Sequence, residues 1–161
     1  MLSRLVDSHN KLQSLQQTSL ARAAVLFATV LVSTAHAHPT PFSYLDLRIS
    51  GGQIEGTLVV HIVDLAHDLN VTTPESLLDP AVAQSRTTEI QDLLRSRLVV
   101  AADGQQVDPE LVRIDPLLDR QALSLELRLK TKPYPGKLRI RCALFPYDPQ
   151  HQTFLNVYED E

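Results

Sequence analysis

This sequence is short of several things that would announce a function. It has one cysteine in 161 residues, no tryptophan, one methionine and only five glycines. A single cysteine, Cys142, forbids an internal disulfide, so stability must come from an apolar core. Five glycines leave little material for phosphate-cradling or dinucleotide-binding loops, and neither fingerprint occurs. H-E-x-x-H is absent, and none of Ser43, Ser76, Ser85, Ser96 and Ser124 sits in a G-x-S-x-G elbow. Nothing here specifies an enzyme, and the expectation is a non-enzymatic domain. No apolar run approaches the ~18 residues a membrane helix needs.

What is there begins near the N-terminus. Arg22 precedes the apolar run Ala23 to Val32, which leads to Ala35-His36-Ala37. The run is too short to span a bilayer, and the two alanines fit an A-x-A cleavage site. Residues 1–37 therefore read as a secretory signal, and residues 38–161 as one extracytoplasmic β-rich domain, periplasmic or in the cell envelope. Cleavage would make His38 the first residue, its free amine beside its own imidazole, a pair able to chelate a metal. Processing removes three of the 15 cationic side chains (Arg4, Lys11, Arg22) and one of the 19 acids (Asp7), leaving 12 against 18, a net charge of −6. An acidic domain without a basic stripe repels a phosphate backbone, which argues against nucleic acid as a partner.

Hydrophobic periodicity predicts the fold class. Leu45, Leu47 and Ile49 alternate with polar residues, Gly51-Gly52 offers a reversal, and Gln53 to about Val63 forms a second arm. Between 64 and 97 the period becomes helical. A turn or helix is expected over Asp64 to Asn70, a turn over Pro74 to Leu78, and a helix from Pro80 to Ser96, with Thr73-Pro74 and Asp79-Pro80 as start signals. Strand patterns return at Leu98 to Ala101, Leu111 to Ile114, Ala122 to Lys130, Lys137 to Leu144 and Thr153 to Tyr158, with a turn at Asp103-Gly104. The sum is mainly β: an antiparallel sandwich of about seven strands with a helical insertion. Cys142, in phase with Leu138, Ile140 and Leu144, is expected to be a buried structural thiol.

The candidate chemistry lies in the histidines. His61, Asp64, His67 and Asp68 fall within eight residues, and imidazole with carboxylate suits nickel, copper or zinc. His38, His61, His67 and His151 are the candidate metal ligands, with Asp64 and Asp68 as further ones. The plainer alternative is that Asp64 caps a helix, Asp68 is solvated and the histidines make ordinary hydrogen bonds. A third reading is a small copper enzyme built on the terminal histidine. The run Phe145 to Tyr158 (FPYDPQHQTFLNVY) combines prolines, aromatics and polar residues. It reads either as a rigid loop entering a last strand, with Phe154, Asn156 and Tyr158 on one face, or as a docking edge for a partner, through Phe145, Tyr147, Phe154 and Tyr158.

Two segments, HPTPFSYLDLRISGGQIEGTLVVHIVDLAHDLNV and LFPYDPQHQTFLNVYED, resemble the extracytoplasmic N-terminal region of HupE/UreJ-like membrane proteins, a hydrogenase and urease accessory group associated with nickel uptake. The resemblance covers most of residues 38–160 and is most specific in the final run. It implies an external domain that assists metal handling, possessing a membrane protein as partner. Members of that group continue into apolar helices carrying a His- and Asp-rich metal motif, whereas this chain ends at Glu161. Transport by these residues alone is not expected, because a carrier must cross the bilayer in closed secondary structure. The expected partner is then a separate membrane protein or a missing C-terminal transmembrane region. The resemblance transfers no metal ligands.

Overall fold

A computed structural model describes residues 42–50, 53–131 and 135–159. The predicted signal, His38 and the Gly51-Gly52 reversal lie outside the described residues. Strand β1 (Phe42–Ser50) pairs antiparallel with β2 (Gln53–His61), Leu45 opposite Leu58 and Leu47 opposite Gly56. The alternation in sequence becomes an inward row in which Leu45, Leu47, Ile54 and Leu58 are fully buried. Gly56 is required where it stands: an added Cβ would lie 3.1 Å from Leu47 Cδ2 and 3.3 Å from Leu127 Cβ.

Helix α1 (Ile62–Asp68) starts directly after β2, two residues before the expected Asp64. His61 causes this. Its Nδ1 accepts the Val63 N–H at 3.3 Å, so His61, not Asp64, is the cap, and Ile62 and Val63 leave the strand for the helix. A 3-10 turn (Pro74–Leu78) follows, then α2 (Pro80–Ser85), capped by Asp79 Oδ1 accepting from Ala81 N–H at 2.8 Å. The single helix expected from Pro80 to Ser96 is broken at Arg86, and α3 (Thr87–Arg97) begins afresh. Two hydroxyls mark the break: Ser85 Oγ donates to Val82 O and Thr87 Oγ1 to Gln84 O, taking up carbonyls that a continuous helix would pair with amides.

The remaining strands are β3 (Leu98–Ala102), β4 (Gln105–Val107), β5 (Glu110–Leu117), β6 (Ala122–Lys130), β7 (Leu138–Cys142) and β8 (Gln152–Glu159). Asp103 and Gly104 both have positive φ, as a two-residue reversal between β3 and β4 demands, and this hairpin adds the short β4 to the seven expected strands. One sheet runs β5-β6-β2-β1-β8 and the other β4-β3-β7. The fold is thus a mainly β, sandwich-like arrangement with helices inserted over 62–97, as the periodicity indicates. All pairings are antiparallel except one, because β8 lies parallel to β1. The core holds Leu45, Leu58, Ile62, Leu65, Ile90, Leu94, Leu98, Leu123 and Leu125, all at most 1% exposed. Cys142 is half-buried, its Sγ 3.9 Å from Thr153 Oγ1, and burial raises its thiol above the ordinary pKa.

Candidate functional site

The described residues of two stretches, 42–71 and 144–159, meet in space. From β7 the chain passes through Leu144 to His151, over the start of α1, to reach the open side of β1, and the loop is fastened there by side chains from both segments. Asp64 lies in the first turn of α1, only 7% exposed. Its Oδ1 accepts the Tyr147 hydroxyl at 2.9 Å, and its Oδ2 stands 3.6 Å from His151 Nδ1. The other ring nitrogen, His151 Nε2, is 3.0 Å from the hydroxyl of Ser43, which is fully buried on β1. Phe145 presents its ring edge-on to His151, centroids 4.7 Å apart.

A second row reinforces the first. Tyr147 stacks on His67 with centroids 3.7 Å apart, His67 Nδ1 is 3.4 Å from Asp68 Oδ1, and Arg97 at the end of α3 donates to both Asp68 and the Leu144 carbonyl. One α1 turn, one helix end and one loop are tied together by charge-assisted contacts.

Burial acts on two titrating rings of the clasp, His151 and Tyr147. It holds the His151 imidazole below its ordinary pKa, against the opposing pull of the Asp64 and Asp148 charges. His151 Nδ1 is buried without a hydrogen-bond partner, since 3.6 Å exceeds bonding distance. Burial, and then the bond to Asp64, push the Tyr147 hydroxyl well above the usual phenol range, so it stays a donor. A cleft of about 310 Å³ opens beside His151, bordered by Cys142, Phe145, Asp148 and Thr153.

Ser43, His151 and Asp64 stand in the atom order of a nucleophile relay. A nucleophile must touch its substrate, however, and Ser43 exposes no surface. The arrangement as it stands is a clasp. Ser43 was legible only as a polar residue in the inward phase of β1 with Leu45 and Leu47, and Arg97 carried no signal beyond its place in the last helical turn.

The nominated metal ligands are divided among different tasks. Asp64 and His151 come together, and His67 and Asp68 are neighbours on the same clasp, but His61 is occupied as the cap of α1. Among the described residues no group of three or more His, Cys, Asp or Glu is placed to hold a metal ion. His38 lies outside them.

The proposed docking residues also separate. Phe145 is 2% exposed and belongs to the core, because its ring closes over His151; it is removed from the docking set. Tyr147 is 40% exposed but committed to Asp64 and His67. Phe154 and Tyr158 are surface residues at 45% and 47% exposure. On the outer face of β1 and β8, Phe154 stacks on Tyr44 at 5.5 Å and meets Phe42 edge-on at 5.2 Å, while the Arg48 guanidinium lies 5.7 Å from the Tyr158 ring centre. No protein-family model matches the chain, and no match to it is found among curated proteins.

Proposed function

We propose that this chain is an exported, non-enzymatic interaction domain that assists a metal-handling membrane protein by contact, using the outer aromatic face of β1 and β8. One observation carries the reading. Tyr44 on β1 and Phe154 and Tyr158 on β8 are each 45–47% exposed on one outer face, where Phe154 stacks on Tyr44 and Tyr158 lies beyond the Asn156–Asp46 hydrogen bond, beside Arg48. Large aromatics are the residues that interface cores favour. The resemblance to the external region of HupE/UreJ-like proteins supports a membrane partner and a compartment outside the cytoplasm.

A second reading, a weak divalent-metal site, draws on the partnerless His151 Nδ1 facing Asp64. Two donors hold a metal poorly, and Asp64 already accepts from Tyr147. The described residues do not fit a nickel, copper or zinc centre by themselves, so contact is preferred over ligation.

The test is photocrosslinking in the producing cell. A photoreactive residue at Phe154 or Tyr158 is expected to trap an integral membrane protein, and one at Val112, exposed at the opposite sheet edge, is not. Equal labelling at all three positions, or recovery of untrimmed chain from the cytoplasm, refutes the proposal. Calorimetric titration with Ni²⁺, Cu²⁺ and Zn²⁺ separates the second reading: contact alone predicts no heat, whereas a weak site predicts micromolar or weaker binding, about −8 kcal/mol or less in magnitude, lost in His151→Ala.

A further inference from the structure

The two edges of the five-stranded sheet are treated differently. β5 carries Pro116, a register shift between Leu111 and Arg113, and the charges Glu110, Arg113 and Asp115. Its backbone is also taken up by helix side chains: Gln84 donates to the Ile114 carbonyl, and Gln91 both donates to the Pro109 carbonyl and accepts the Leu111 N–H. These are the devices by which sheets prevent strand addition. β8 has no such proline or register shift and, among the described residues, no helix side chain bonded to its backbone, and its one charge, Glu159, stands at its end. The strand is eight residues long, without lysine, and β1 is its only strand neighbour among the described residues.

Both faces of β8 carry half-exposed apolar side chains among polar ones. Phe154 and Tyr158 face outward, while Leu155 and Val157 lie in the inward phase, paired with the buried Leu45 and Leu47, yet remain 44% and 48% exposed. The layer that covers β1, β2 and β6 stops short of them.

We infer that β8 pairs antiparallel with β8 of a second copy of this chain, about a two-fold axis through Asn156. The sequence of the strand is self-complementary in that register. Phe154 stands opposite the partner's Tyr158, Leu155 opposite the partner's Val157, and the single charge, Glu159, opposite the partner's Thr153, so no like charges meet. Aromatic pairs form twice on the outer face and aliphatic pairs twice on the inner, the combinations that stabilise antiparallel ladders. The two sheets then become one of ten strands, with two copies of the aromatic face side by side. The four β8 side chains bring on the order of 300 Å² per copy to the seam. With backbone added, this is the small end of specific interfaces, so the dissociation constant is expected to be roughly micromolar. The inference concerns the strand's edge and holds whether or not a membrane protein takes the outer face.

Sedimentation of the protein as produced by the cell is expected to show dimer above about 10 µM and monomer well below it. Register is read by oxidative crosslinking in a Cys142→Ser background. Asn156→Cys crosslinks to itself, because directly opposed Cα atoms are about 4.5–5.5 Å apart, within disulfide reach. Leu155→Cys does not crosslink to itself but does when mixed with Val157→Cys. Leu155→Lys, at a half-exposed position, is expected to shift the equilibrium at least tenfold toward monomer with unchanged circular dichroism. A monomer at 100 µM overturns the inference, whether its β8 amides exchange fast, as an open edge would, or slowly, as an edge covered by the chain's own residues 1–41 would. Indiscriminate crosslinking at all three positions overturns it too, as does dimer persisting in Leu155→Lys.

Discussion

Tyr147→Phe removes one hydroxyl and leaves the ring that stacks on His67, so it isolates the bond on which the clasp depends. That bond is 2.9 Å long and ends on a carboxylate only 7% exposed. A hydrogen bond to a charged group contributes about 1.5–3 kcal/mol. Tyr147 itself is 40% exposed, so water can approach Asp64 once the hydroxyl is gone, and the lower half of that range is expected, about 1.5–2 kcal/mol. For a domain of this size this corresponds to a fall in Tm of roughly 3–10 °C. The assay is urea unfolding of wild type, Tyr147→Phe, Asp64→Asn and the double variant, which gives the coupling directly. Hydrogen exchange adds the functional readout: β8 amides are expected to lose protection while those of β6 keep theirs, because β8 enters the sheet through the clasped loop. A coupling below about 0.3 kcal/mol, within the usual additivity error, or unchanged exchange in β8, refutes the view that this bond holds the strand.

Other consequences follow from the same geometry. Because burial lowers the His151 pKa, the unfolded chain binds the proton first; stability is full above about 6.5 and declines as pH falls through that value toward the lower folded one, a slope that His151→Gln should flatten. Tyr147 is raised in the fold, so its contribution is present below the ordinary phenol pKa of 10.0 and is lost as pH rises above it, which Tyr147→Phe abolishes in alkaline unfolding curves. Gly56→Val must displace Leu47 and Leu127 and is expected to cost about 1–3 kcal/mol, with Gly56→Ala smaller, both read from urea midpoints. Asp79→Ala removes the α2 cap and should cost about 1 kcal/mol without altering β8 exchange.

Local pattern determined the local structure. The alternation of Leu123, Leu125, Leu127 and Leu129 specifies β6 and its buried face, and Asp79-Pro80 specifies where α2 starts, because side-chain period and capping chemistry act within a few residues. Where two signals compete locally, sequence is a weaker guide. The hydroxyls of Ser85 and Thr87 were visible, but only the folded geometry shows them taking the carbonyls that break the helix at Arg86.

By itself, then, the sequence determined a mainly β domain with a helical insertion, the inward rows of its strands, and the pair of segments in which unusual chemistry is concentrated. Tertiary structure decided what that chemistry does. Ser43 and His151 are 108 residues apart, Asp64 and Tyr147 83 apart, and no periodicity reports a meeting across such distances. The parallel placement of β8 beside β1, which turns Phe154 and Tyr158 into surface and Phe145 into core, rests on those long-range contacts. Closing so long a loop is costly, and only packing and hydrogen bonding at both of its ends can stabilise it.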